Sequence, residues 1–378
     1  MTSSEVFKYE DFFIRYDEGI GLFFYSCNNG LTYSLSYQVI NDENKKKLLR
    51  KSEKGKIIEN IINEIDFSKG RLLPTKDYWP GAPQEKLRNP ITVNWLITKS
   101  CTHNCGYCYA SDVIDNPEIL ETEDIEEVAN NILDLKPLNV VISGGEPLLH
   151  KKIIEIVNYL SGKTGIIIDT NGFCFERLEE LLPIILKNKI VVRVSLDSLR
   201  VSKEFKIRKP KNSRITRLEN LENSFKSLTL LLSNNVSVTI QTVLTKMNAN
   251  ELESMGDKLS KMGINVWRIF EMQTSSKKKE KYKPYILNDI DDKVNRKTNY
   301  FINKVENKSK NYWEFEFCFT KANGDKNNVI LVLPDGKFYT QAKHDIGKIL
   351  IDSNNPYKPS REKLNLLGWG EHFDRYIG

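Results

Sequence analysis

The sequence predicts an α/β protein: an open, partial (β/α)6 barrel, preceded by a small α+β, winged-helix-like module and followed by a small β-containing appendage. Strand and helix signals alternate between residues 91 and 270, the mark of a parallel sheet with helical crossovers. The rhythm stops after six units, whereas a closed eight-unit barrel takes about 250 residues. The polar clusters of this region fall just after the strand segments, the rim where parallel barrels place their chemistry.

The barrel elements follow in order. Ile91–Thr98 reads as a strand that runs into a cysteine cluster, and Ile125, Val128 and Ile132 recur at helical spacing behind Glu123 and Asp124. Asn139–Ile142 is a short apolar strand ending at Ser143-Gly144-Gly145-Glu146-Pro147, and Ile153, Ile156, Val157 and Leu160 make the next helix. Strand Gly165–Asp169, a helix from about Arg177 to Leu186 and strand Val191–Leu196 come next, then a polar basic loop. Leu218, Leu221, Phe225, Leu228 and Leu232 stripe a fourth helix. Strand Val236–Leu244, helix Glu251–Met262 and strand Asn265–Phe270 complete the series.

The flanks differ in character. Residues 11–38 read as short strands with a hairpin signal at Asn28-Asn29-Gly30, and a helical pattern follows through Ile57, Ile61, Ile62 and Ile65. Four segments are therefore expected: a module over 1–72, a proline-rich linker over 73–90, the barrel over 91–276 and a C-terminal unit over 277–378. The last is polar and helical to about Asn307. Trp313–Phe319 and Val329–Leu333 then read as strands, with Pro334-Asp335-Gly336 turning into Lys337–Thr340.

Composition narrows the class. Hydrophobic residues make up 40% of the 378-residue chain, ordinary for a globular protein. No apolar run approaches the roughly 20 residues that span a bilayer, and the N-terminus lacks a basic-then-apolar signal pattern, so a cytoplasmic protein without a membrane partner is expected. The net charge of +6 is modest. Its densest basic stretches, Lys45–Lys51 and Lys277–Lys283, lack the interleaved aromatics of a nucleic-acid stacking surface and read as solvated faces.

Of six cysteines, three crowd into Cys101-Thr-His-Asn-Cys105-Gly-Tyr-Cys108. Structural zinc sites take four ligands, commonly in two separated pairs. Three thiolates in one loop suit a [4Fe–4S] cluster with one iron left open for a substrate or cofactor. His103 reads as a loop residue beside the cluster, not a ligand. Cys27 reads as structural; Cys174 and Cys318 stand alone.

This loop resembles the CxxxCxΦC signature of the radical S-adenosylmethionine (SAM) superfamily, with Tyr107 in the aromatic position. The resemblance covers roughly residues 91–272. It implies that Cys101, Cys105 and Cys108 hold one [4Fe–4S] cluster whose open iron binds SAM, and that reductive cleavage of SAM yields a 5′-deoxyadenosyl radical. A reducing partner such as flavodoxin or ferredoxin is then needed. Ser143-Gly144-Gly145-Glu146-Pro147 resembles the family turn that contacts the SAM amino group, its glycines admitting close approach and Glu146 supplying charge. Asn171, Ser195 and Asp197 resemble positions near the SAM ribose and methionine. Arg208 resembles the arginine that meets the SAM carboxylate, with Arg214 or Arg217 as alternatives.

The flanks suggest the substrate. The N-terminal hairpins resemble the peptide-recognition element of maturases of ribosomally made peptides, which adds a leader peptide as an extra strand; a structural extension closing the barrel's bottom is the alternative. Leu333-Pro-Asp335-Gly336 through Ile349 resembles a SPASM or twitch domain but lacks its cluster cysteines, which implies a single cluster. Alternation along Trp313–Phe319 sets Cys318 opposite Phe317 and Phe319, making it a candidate hydrogen-atom donor beside the bland reading of a structural thiol, with Cys174, just past Asn171-Gly172, as the other candidate. The leading expectation is an enzyme that abstracts hydrogen from a precursor peptide, giving a crosslink, an epimerised residue or another side-chain change. The alternatives are a radical SAM enzyme for a nucleotide or sugar, and a non-catalytic Fe–S regulator.

Overall fold

In the computed structural model, which describes residues 5–17, 21–35, 89–272, 282–287, 296–320, 329–342, 345–349 and 358–359, two sheets organise the chain. The first is antiparallel and four-stranded: β1 (Val6–Tyr9), β2 (Phe12–Asp17), β3 (Gly21–Ser26) and β4 (Thr32–Leu35) in sequential order. The second holds ten strands. Its centre is β5 (Thr92–Thr98), β6 (Asn139–Gly144), β7 (Gly165–Thr170), β8 (Val191–Ser195), β9 (Val238–Leu244) and β10 (Val266–Glu271), each parallel to its neighbours.

Helices join these strands as the apolar periodicity predicts. They are α1 (Ser111–Ile114), α2 (Ile125–Leu133), α3 (Ile153–Leu160), α4 (Phe175–Asn188), α5 (Val201–Ile207), α6 (Arg217–Ser233) and α7 (Leu252–Met262). One continuous core runs between strands and helices, with Val128 and Ile132 of α2, Ile156 and Leu160 of α3 and Leu181 of α4 among its fully buried members. Strand β6 is buried on both faces, which explains its unbroken apolar sequence. Strands β8 to β10 instead alternate: Val192, Val194, Ile240, Trp267 and Ile269 pack in the core, while Arg193, Ser195, Gln241 and Arg268 are half-buried on the other, lumen-facing side.

Three expectations change. The polar basic segment after β8 reads as a loop in sequence, yet Val201–Ile207 forms a helix with Glu204 and Ile207 turned inward together. The face of α6 is offset from the leucine stripe: Leu218 is 54% exposed, and Asn220, Ser224 and Ser227 are buried instead. The C-terminal unit does not stand apart as an appendage. Helix α8 (Arg296–Tyr312) leads to β11 (Glu316–Thr320), which pairs in parallel with β10, and β12 (Val329–Val332) pairs in parallel with β5 at the other end. The antiparallel strands β13 (Phe338–Ala342) and β14 (Asp345–Ile349) extend the sheet from β12. Non-local pairing of this kind leaves no trace in local periodicity.

The N-terminal sheet sits under the barrel against the segments that enter its strands. Arg15, wholly buried, donates to Pro90 O and Lys136 O at 2.6 Å and to Asn89 O at 3.1 Å. Tyr25 donates to Ile166 O at 3.3 Å, Ser237 Oγ donates to Asn28 O at 2.6 Å, and Lys189 pairs with Asp11. Closure of the barrel's bottom is thus part of this module's structure. The predicted helix through Ile57–Ile65, the linker up to residue 88, Lys45–Lys51 and Lys277–Lys281 lie outside the described residues.

Candidate active site

Strand β5 delivers the chain to the barrel rim, where Cys101, Cys105 and Cys108 sit half-buried in one loop. Main-chain bonds hold that loop on two sides. Gly145 N donates to Thr98 O at 2.8 Å and Glu146 N to Ser100 O at 2.7 Å; on the far side Asn104 N donates to Lys209 O at 2.7 Å and Lys211 N to Thr102 O at 2.8 Å. His103 is buried with both ring nitrogens engaged, Nδ1 at 2.8 Å from Thr102 Oγ1 and Nε2 at 2.7 Å from Asn220 Oδ1. Burial pulls its pKa down to about 3, so the imidazole is neutral, and it acts as a strut of the loop and not as a ligand.

The donor set suits a cluster. Burial raises the pKa of Cys101 and Cys105, and the Arg208 guanidinium opposes that shift at both thiols. Three soft sulfurs next to a fixed positive charge favour thiolate ligation. Among the described residues no three His, Cys, Asp or Glu side chains converge on one point as a single ion requires. An iron–sulfur cluster spreads its ligands over separate irons and needs no such convergence.

The Ser143–Pro147 turn explains its residues differently from the sequence reading. A Cβ on Gly145 would lie 2.2 Å from Ser100 O, and one on Gly144, whose φ is +144°, would lie 2.5 Å from Thr98 O. The glycines therefore let the turn press against the backbone of the cysteine loop. Glu146 is fully buried: its carboxylate accepts from Asn171 N at 2.7 Å, Thr170 Oγ1 at 2.9 Å and Leu148 N at 3.2 Å, capping the 3₁₀ turn Pro147–Leu149. It binds together the ends of β6 and β7. Ser143 is buried beside it, 3.4 Å from the Tyr109 hydroxyl.

Asn171, at the end of β7, points its Nδ2 at Thr102 Oγ1 (2.9 Å) and Cys101 Sγ (3.9 Å). The Arg208 guanidinium is buried on Glu204 Oε1 at 2.7 Å and on the carbonyls of Ser195 and Asn171, and so clasps the ends of β7 and β8. Arg214 and Arg217 remain exposed. Asp197 is also buried, accepting from the Tyr107 hydroxyl and from Val243 N at 2.8 Å; burial, then nearby Glu204, raises its pKa to about 7.

Several groups here were not legible in the sequence. Asp169 and Arg193 are register partners that form a bidentate pair, Arg193 Nη2 lying 2.7 Å from Asp169 Oδ2. Tyr285 lies edge-on to Tyr107 at 6.3 Å, where a Cβ on Gly106 would strike its hydroxyl. Ser195, Gln241, Arg268 and Cys318 are successive register partners across β8, β9, β10 and β11, and thus form one row on the lumen face. Phe317 and Phe319 pack on the core side, so Cys318 faces the lumen. Cys174 and Cys27, by contrast, belong to the hydrophobic core, and burial pushes Cys174 to about 12.

Comparison with known proteins agrees with this geometry. Residues 95–259 match the model of the radical SAM superfamily. An S-adenosylmethionine-dependent nucleotide dehydratase of Fibrobacter sp. (strain UWH6) is 24% identical over 286 residues, 69% of this chain and 83% of that protein. The subtilosin biosynthesis protein AlbA of Bacillus subtilis (strain 168) is 27% identical over 182 residues, 47% of this chain but only 38% of its own. SuiB of Streptococcus suis, solved bound to precursor peptide SuiA, shares the fold with a TM-score of 0.58 at 15% identity, over 89% of this chain and 82% of that one. Residues 95–259, which hold the cysteine loop at the end of the first barrel strand and the parallel sheet behind it, thus carry a radical SAM domain.

Proposed function

We propose that this enzyme modifies a ribosomally synthesised precursor peptide by hydrogen abstraction. The observation that carries the reading is the fold likeness to SuiB, which spans the chain's flanks as well as its barrel and was solved with a precursor peptide. The sequence relation to AlbA adds support. In this reading Cys101, Cys105 and Cys108 would hold the [4Fe–4S] cluster, and Tyr107, Ser143, Gly144, Gly145, Asn171, Ser195 and Asp197 would hold SAM. When bound, the pair supplies the 5′-deoxyadenosyl radical.

The chain's own residues do the rest. The glycine turn, His103 and the 209–211 segment hold the cysteine loop in place. Glu146 and Arg208 fix the ends of β6, β7 and β8 around it. The lumen row then presents the substrate bond, with Cys318 available to return a hydrogen atom. The strands β1–β4 would receive the leader by strand addition on an edge that no described strand pairs with.

The test is anaerobic reconstitution with iron and sulfide, then reduction with SAM, with mass spectrometry of 5′-deoxyadenosine and of short peptides encoded beside the gene. Deoxyadenosine that disappears in Cys105→Ala, together with a mass or stereochemical change in one peptide, is the expected result. A second reading, action on a nucleotide, is favoured by the Fibrobacter relative, whose match covers 69% of this chain. Turnover of a nucleoside triphosphate with no peptide change would establish it instead.

A further inference from the structure

The clasp that closes the cysteine loop on its far side is strongly basic on its outer surface. Between Lys206 and Arg217 the chain carries Lys206, Lys209, Lys211, Arg214 and Arg217 exposed and buried Arg208, with no acidic residue in the interval. Among the described residues none of these five exposed cations is in an ion pair, and Arg217 has only the Phe205 ring at 5.8 Å. The nearby carboxylates are largely committed elsewhere: Glu204 to Arg208, Glu251 to Lys203 and Arg200, and Glu219 to the capping box of α6. Exposed Glu222 is the one opposing charge beside them on α6.

This patch is attached directly to the cysteine loop. Asn104 N and Lys211 N make the two main-chain bonds between the segments, Pro210 bridges His103, and the Asn220 amide donates to Arg208 O at 3.4 Å while its oxygen meets His103. The basic surface and the sulfur ligands are therefore two sides of one layer of chain.

We propose that this surface docks an acidic electron-transfer protein of the flavodoxin type and that the electron enters the cluster through the Thr102–Asn104 and Lys209–Lys211 segments. In that step the flavin is oxidised by one electron and the cluster is reduced by one. Redox encounters use small, polar, salt-sensitive interfaces, which a patch of exposed lysine and arginine fits. The inference rests on the radical SAM reading of the cysteine loop and adds the place where its reductant binds.

The test compares the wild type with Lys206→Glu/Arg217→Glu, two exposed cations of the patch that make no contact with the cysteine loop, both reconstituted. Three readouts are taken: flavodoxin affinity by calorimetry, deoxyadenosine formation driven by reduced flavodoxin, and the same reaction driven by dithionite. The variant should bind flavodoxin at least about tenfold more weakly and lose flavodoxin-driven turnover by a similar factor, with the dithionite rate within about twofold. The wild type should show the same contrast on its own, its flavodoxin-driven rate falling between 0.05 and 0.5 M salt while the dithionite rate holds. Unchanged flavodoxin affinity and rate overturn the proposal. So does a loss confined to peptide modification, which would assign the patch to the substrate. If the wild type makes no deoxyadenosine with dithionite, the radical reading fails, while the calorimetry still decides the docking.

Discussion

The His103 imidazole and the Asn220 side-chain oxygen meet at 2.7 Å across 117 residues of chain, and this buried contact ties the cysteine loop to helix α6. Asn220→Ala leaves Nε2 buried without its partner and also removes the donor to Arg208 O. A destabilisation of about 1–3 kcal/mol is expected by urea unfolding, together with a lower iron content after reconstitution.

Gly145 and Gly162 make a matched pair of tests. A Cβ at Gly145 would meet Ser100 O at 2.2 Å, whereas nothing lies within 4 Å of one at Gly162, whose φ is +77°. Gly162→Ala should cost about 1 kcal/mol through backbone strain alone and leave cluster assembly intact. Gly145→Ala must move the cysteine loop, so the absorbance of the reconstituted cluster should fall sharply. Equal cluster loading in the two variants would refute this account of the turn.

Glu146 makes stability depend on pH. Burial raises its pKa to about 7, against hydrogen bonds from Asn171 N, Thr170 and Leu148 N that lower it. The folded protein therefore holds a proton that the unfolded chain releases above its ordinary value near 4.5. The stabilisation is full below that value and is lost as pH rises toward 7, at up to about 1.4 kcal/mol per pH unit. Glu146→Gln should flatten that part of the stability profile of the metal-free chain, read by denaturant melts from pH 4.5 to 7.5.

Cys318 tests the donor role. Its thiol would give a hydrogen atom to the carbon radical of the substrate, and the resulting sulfur radical would take back an electron from the reductant and a proton from water. Cys318→Ala should keep deoxyadenosine formation while losing solvent-deuterium incorporation into the peptide. Product unchanged in yield and label would leave Cys318 a spectator.

The position of β1–β4 constrains the substrate. The leader would bind beneath a sheet whose strands, such as the six-residue β7, rise about 20 Å to the rim that bears the cysteines. A peptide bound there would also have to pass around the barrel wall, so at least about ten extended residues would be needed between the leader contact and the modified residue. Shortening that spacer below about six residues should abolish modification while leader binding, by fluorescence anisotropy, persists.

Much of this was readable locally. The six central strands, most of their helices and the position of each polar cluster at a strand end follow from apolar periodicity and turn residues, because a parallel strand buried on both faces and an amphipathic helix both write their burial into neighbouring positions. Cys101, Cys105 and Cys108 were legible as one candidate ligand set because all three share one loop. The lumen row was not: Ser195, Gln241, Arg268 and Cys318 come from four strands and meet only through register.

The sequence by itself determined the barrel core, the cysteine loop and the radical SAM resemblance, each of which is encoded within a few residues of chain. Only the tertiary structure decided that Glu146 and Arg208 face inward as clasps, that β11 and β12 extend the barrel sheet at its two ends, and that β1–β4 seal its bottom. The reason is physical. A carboxylate or guanidinium looks the same in sequence whether it meets a ligand or a buried backbone, and its role is set by the partners that distant strands bring within hydrogen-bond reach.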